Sequence, residues 1–300
     1  MKKFINFSSW LFAFAITGAL IFTGCKKESS TVTTSTDSSD DVTATMEATS
    51  ADIESSNTFD DVFNITASMN TSQVGEDLGV GVNVSGLFNL GGREDSAARC
   101  FTISVVPAIP HVFPKTVTID FGPGCLCRDG KYRKGKIVTI YTAPMVIPGS
   151  KVSSTFVGYN VDSFAIEGTH ITENTSTSNM QGWKVTVIDA KITNSNNSKW
   201  KKWNSIRQVT QSEGNGTPGF PLDDVYKITG AATGSNSAGH QWTSVITDAL
   251  IKKFTCQWIV KGSVRIDRDG MQALLDYGNG NCDNQATITI NGTTHPITLQ

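Results

Sequence analysis

The chain is short of charge. Asp, Glu, Lys and Arg make up 17% of its 300 residues, and only four are histidines. Long exposed helices and coiled coils need far more charged residues, so neither is the dominant architecture. Basic surplus is missing too. Once Lys2 and Lys3 leave with the leader, 23 basic residues face 27 acidic ones, a net charge of −4. Nucleic-acid binders neutralise phosphates with clustered Lys and Arg, and this balance argues against nucleic acid as a partner. His111, His170, His240 and His295 are scattered, with no His-x-x-x-His pair and no carboxylate at ligand spacing, so nothing calls for a metal or another cofactor. Gly234–Gly239 lacks the spacing and the following helix of a nucleophile elbow, and Asp267-Arg268-Asp269-Gly270 is a calcium-loop fragment that reads better as a hairpin turn. The Gly-rich stretch over 75–95 has no phosphate-loop spacing.

Long apolar runs are absent with one exception. Met1-Lys2-Lys3 is followed by a largely apolar run from Phe4 to Phe22, which meets Ile21-Phe22-Thr23-Gly24-Cys25. A basic start, an apolar stretch and small residues before a cysteine resemble a bacterial lipoprotein signal. The resemblance implies a signal peptide over 1–24 and a Cys25 thiol that carries diacylglycerol and palmitate-type chains. It makes the membrane a partner, and Lys26 at the next position implies the outer membrane, with the leaflet left open. From Cys25 to residue 57 the chain is a Ser/Thr/Asp tract, too polar to offset the entropy of ordering, and it reads as a disordered tether.

Periodicity begins at Thr58. Phe59, Val62, Phe63, Thr66 and Met69 recur at three- and four-residue steps, Thr58 suits an N-cap, and Asp60 and Asp61 suit the dipole of a first turn. The spacing predicts one amphipathic helix over 58–70, packed on a sheet and followed by a Gly-rich connection to position 99. From 100 to 300 the pattern is strand after strand. Val117, Ile119 and Phe121 alternate with Thr118 and Asp120, as Trp183, Val185 and Val187 do with Lys184 and Thr186. Asp129-Gly130, Asn196-Asn197, Asp269-Gly270 and Asn291-Gly292 punctuate the runs as turns. With no helical pattern after 100 the strands should pair antiparallel. The prediction is an all-β fold: an antiparallel β-meander, as an open twisted sheet, half-barrel or sandwich, with one N-terminal amphipathic helix. Phe164 to Gly168, Tyr226 to Gly230 and Trp258 to Gly262 each place an aromatic four residues before a glycine, which predicts a bend or bulge at each glycine. A further copy, expected around Trp200 to Thr210, matches poorly.

One stretch occurs twice. Asp120-Phe121-Gly122-Pro123-Gly124-Cys125 is echoed by Asp276-Tyr277-Gly278-Asn279-Gly280-Asn281-Cys282, and each copy follows an earlier cysteine, Cys100 or Cys256, by 25 or 26 residues. Exported chains form disulfides, and the matched spacing selects Cys100 with Cys125 and Cys256 with Cys282. Cys127 is then the odd thiol, with three readings: it pairs in place of Cys125, it is a buried thiol, or it joins Cys125 and Asp129 on a metal. Asp120 and Asp276 either accept backbone hydrogen bonds in the turns that follow or form an acid/base pair. Two surface features suit binding: the basic tip from Arg128 to Lys136, and Trp200-Lys201-Lys202-Trp203, whose rings would face opposite ways on a strand.

The duplicated motif, with Arg133-Lys134-Gly135-Lys136-Ile137 after the first copy and Ala286-Thr287-Ile288-Thr289-Ile290-Asn291-Gly292 after the second, resembles an uncharacterised lipoprotein family of Bacteroidota-type bacteria over most of 100–300. The resemblance implies location and fold and carries no established activity. The expectation is a membrane-anchored envelope lipoprotein that is a non-enzymatic binding or structural protein, with a lipid, a glycan or an envelope protein as candidate partner. The alternatives are a carrier that holds a hydrophobic ligand in a half-barrel, and a hydrolase with Asp120 or Asp276 in its site.

Overall fold

The computed structural model describes residues 39–71, 76–79, 101–127, 129–217 and 221–299. The leader, Cys25, Cys100 and positions 80–95 of the Gly-rich stretch lie outside the described residues.

Helix α1 spans Ser39–Ala67, so residues 39–57, expected as tether, are its N-terminal two thirds. The correction has a physical cause. That stretch buries small and polar residues, among them Ala44, Thr45, Ala48, Thr49, Asp52 and Ser55, which carry no hydrophobic period to be read. Its hydroxyls bond back along the helix, Thr45 to Asp41 O, Thr49 to Thr45 O and Ser55 to Ala51 O. Thr58, the expected N-cap, is mid-helix and donates to Glu54 O at 2.8 Å. Asp40 and Asp41, not Asp60 and Asp61, occupy the first turn and complement the dipole. The apolar stripe of the last third does pack inward, with Phe59, Val62 and Ile65 buried.

A small pair, β1 (Asn70–Thr71) and β2 (Glu76–Asp77), follows the helix. The sheet then forms from β3 (Thr102–Val106), β4 (Lys115–Asp120), β5 (Cys125–Leu126), β6 (Tyr132–Tyr141), β7 (Lys151–Val161), β8 (Phe164–Asn174), β9 (Gly182–Asn194) and β10 (Trp200–Glu213). It continues through β11 (Val225–Asn236), β12 (Gln241–Lys253), β13 (Ile259–Arg268), β14 (Met271–Asn279), β15 (Gln285–Ile290) and β16 (Thr293–Thr298). These 14 strands make one antiparallel sheet in chain order, with β5 paired to β6 beside the main path and β3 and β16 as open edges. The predicted all-β meander is therefore the fold, and the sheet does not close into a barrel.

The sheet curls around α1. Within one helical turn, Phe59 meets Phe156 of β7 and Trp203 of β10, and Asp61 meets Arg133 of β6. Asp60, next to them, acts electrostatically on Lys252 of β12 and Tyr277 of β14. On a flat sheet β6 and β14 would lie about 38 Å apart at ~4.8 Å per strand, far beyond a helix about 10–12 Å across. Every ladder from β6/β7 to β13/β14 carries a register shift, and a bulge bends and twists its strand. Gly168, Gly230 and Gly262 adopt φ of 115°, 141° and 109° at such shifts, as their spacing predicted. The further copy has no glycine. Its shift, between Trp203 and Ser205, flanks Asn204, whose side-chain oxygen accepts from the Asp189 amide at 2.7 Å.

Glycine is required where strands approach closely. A Cβ on Gly230 would stand 2.2 Å from Ile206 O, whereas one on Gly270, also at positive φ, meets nothing within 4 Å. Gly230→Ala is expected to cost about 3 kcal/mol and Gly270→Ala about 1 kcal/mol in urea unfolding. Equal losses would remove close approach as the reason for Gly230.

Candidate functional site

The duplicated motifs build matching turns. Asp120 Oδ1 accepts from the Gly122 amide at 2.8 Å, and Asp276 Oδ1 accepts from the Gly278 amide at 2.7 Å. Asp120 also pairs with Lys136 at 2.8 Å, and that contact, with the Gly122 bond, holds its carboxyl below the usual range. The two carboxylates belong to β4 and β14, nine steps apart along the sheet, and point away from the core beside buried Ile119 and Leu275. The structure does not bring them together. Cys256 and Cys282 form the expected disulfide, with Cα atoms 5.7 Å apart. Cys125 is disulfide-bonded, its expected partner Cys100 lying outside the described residues. Cys127 does not replace it: the Cys127 thiol is buried, and burial pushes its pKa up.

In the basic tip, Arg128 lies outside the described residues, and Lys131 and Arg133 are neutralised from within. Arg133 is fully buried, with Nη1 and Nη2 donating to both oxygens of Asp129 at 2.9 and 2.7 Å and Nη2 reaching Asp61 at 2.9 Å. Lys131 pairs with the same Asp61 at 2.9 Å. In the Trp200 to Trp203 segment, Trp203 is buried against the helix and Trp200, half-buried, has Lys202 5.5 Å from its ring centre.

Polar contacts fix where α1 lies. At its start, Thr45 donates to Met271 Sδ at 3.1 Å and Asp41 faces Arg268 at 3.5 Å, beside the β13–β14 turn. Farther along, Asp52 Oδ1 accepts three bonds, from Trp203 Nε1 at 2.8 Å, Trp242 Nε1 at 3.1 Å and Ser244 Oγ at 2.9 Å. Glu54 pairs with Lys201, and Ser56 accepts from Arg207 at 2.6 Å. At its end, Tyr141, the last residue of β6, donates to Thr66 O at 3.0 Å. Strand alternation puts the end of β6 opposite the β13–β14 turn, so the helix crosses the inner face as a diagonal.

Among the described residues, the diagonal leaves one corner uncovered: the inner face of β11 to β14 at the end away from the β13–β14 turn. There the inner residues Tyr226, Ile228, Lys252 and Tyr277 are only half-buried, while their counterparts on β4 and β6, such as Val117 and Ile137, are fully buried. Tyr226 and Lys252 are register partners on β11 and β12, and the Tyr226 ring stands 6.0 Å from that of Trp183 on β9. Phe63 of the helix meets Trp183 edge-on at 6.3 Å. Asp60 lies 3.9 Å from Arg207 with 53% of its side chain accessible, and the protein crowded around its carboxyl pushes the pKa up. Burial pulls the Lys252 pKa down to about 8, with Asp60 opposing the shift. Trp183 Nε1 and Gln211 Oε1 are buried there without hydrogen-bond partners. The corner offers aromatic and aliphatic walls with two cations, Arg207 and Lys252, and two carboxylates, Asp60 and Asp224, the latter accepting from Tyr226 Oη at 2.8 Å and Gln211 Nε2 at 2.7 Å, which suits holding a partly charged ligand. Sequence reasoning missed it because its residues come from six separate elements.

No family model matches the chain, and neither a curated protein nor a solved structure matches it.

His170 on β8 gives a pH test of helix docking. It is buried against the Phe59 ring with Nε2 lacking a partner, and burial pushes its pKa from 6.5 down to about 4. The unfolded chain binds this proton near pH 6.5 and the folded chain resists it until about 4. Stability is therefore full above pH 6.5 and lost as pH falls toward 4, by up to about 3 kcal/mol from this group. Urea midpoints at pH 7.5 and 4.5 should differ clearly less in His170→Leu than in the wild type. An unchanged difference would assign the acid sensitivity elsewhere.

Proposed function

We propose that the chain is an outer-membrane-anchored envelope lipoprotein, held through acylated Cys25, whose β domain acts by binding rather than catalysis. The observation that carries the binding reading is the uncovered corner, where rings and aliphatic side chains that would otherwise be covered stay half-open beside Arg207 and Lys252. The Cys256–Cys282 disulfide supports export, since such bonds form and persist outside the reducing cytosol. Asp120 and Asp276 hold turns on the outer face, which leaves the hydrolase reading without a paired site. The carrier reading draws on the same corner and differs only in the ligand: a carrier takes a lipid there.

Anchoring is tested in cells grown with radiolabelled palmitate. The wild type should be labelled and sediment with the outer membrane, while Cys25→Ser should lose the label and fractionate as soluble protein. Label retained in Cys25→Ser, or a wild type without label, would remove the anchor from the account.

A further inference from the structure

Resting on the binding reading, we infer that the uncovered corner takes an amphiphile, with its anionic head at Lys252 and its apolar chain against Phe63, Tyr226, Ile228 and Tyr277. The head follows from the charges. Among the described residues, Asp60 is the carboxylate that acts on Lys252, and it is shared with Arg207, which it faces at 3.9 Å, while Asp224 is taken up by Tyr226 and Gln211. Arg207 is further engaged with Ser56 and stacks 5.3 Å from the Trp203 ring centre. The Lys252 ammonium donates to Gln257 O, a neutral acceptor. Lys252, whose ammonium bonds a neutral carbonyl and shares Asp60 with Arg207, is the cation of the corner that meets an incoming anion.

The chain follows from the walls. Tyr226 and Lys252 pair in register between Gln211 and Ile259, and the neighbouring row runs Trp183, Val209, Ile228, Leu250. One step from the ammonium the surface is therefore aromatic and aliphatic. The Tyr226 hydroxyl is committed to Asp224 at 2.8 Å, so its ring presents an apolar face. A sugar would need many more free donors and acceptors than these rows offer. The rim at this end of the sheet is apolar as well: Leu222, in the connection into β11, is 57% exposed, and Met180, in the connection into β9, is 45% exposed.

The test uses the mature chain, residues 25–300, as the Cys25→Ser form, titrated by calorimetry with dodecanoate, dodecyl phosphate and dodecanol below their micelle concentrations. At least one anion should bind, and the tighter of the two identifies a carboxylate or a phosphate head; dodecanol should bind roughly tenfold more weakly. Lys252→Met should weaken the anions by roughly tenfold and leave dodecanol unchanged, while Ile228→Asp should weaken all three. Thermal melts confirm that each variant is folded, and Lys252→Arg, which keeps the charge, should restore anion binding. Dodecanol bound as tightly as the anions, with Lys252→Met without effect, overturns the anionic head but leaves the binding reading standing. No binding by any of the three overturns both.

Discussion

An open sheet of this length exposes a whole inner face, and one helix lying inside its curl covers most of it. Everything else in the domain depends on that contact. The bulges at Gly168, Gly230 and Gly262 bend the strands, but a bent sheet without α1 would leave Tyr141, Trp203 and Trp242, all buried and all bonded to the helix, facing water. The sheet in turn makes the helix stable. Its N-terminal half is rich in Ser, Thr and Asp, residues that form weak isolated helices because their side chains compete for the backbone.

Polar contacts decide the position of this helix more than apolar ones do. Asp52 gathers two indoles and a hydroxyl from β10 and β12, and Asp61 meets Arg133 of β6. Buried ionic and polar contacts contribute little net stability, because desolvation opposes the attraction, but leaving one half unmatched is costly. Such contacts make other placements of the helix unfavourable and so fix the diagonal. The diagonal then produces the feature with functional meaning. Where the helix has crossed toward β6, the inner surface of β11 to β14 stays open, with two cations above an apolar floor.

Much of the fold was legible in the sequence. Alternation located the strands, the aromatic-to-glycine spacing located three bulges, and the repeat located the Cys256–Cys282 disulfide and the two Asp turns. Residues 39–57 were not legible as helix, because Ala, Ser and Thr in the buried positions produce no contrast between faces. The basic tip misled for a related reason: Asp61, which neutralises Arg133 and Lys131, is more than sixty positions away in sequence. The candidate cleft could not be read at all. Phe63, Trp183, Arg207, Tyr226, Lys252 and Tyr277 have ordinary local surroundings, and only the curl makes them neighbours.

Amide hydrogen exchange across residues 39–57 tests this account most directly. If that segment is the covering layer of the curl, its amides on the Ala48, Asp52 and Ser55 side should exchange as slowly as those of β10 and β12, and Asp52→Leu should speed exchange along the segment. Exchange within seconds across 39–57 in the wild type, at the rate of an unstructured tether, would contradict it.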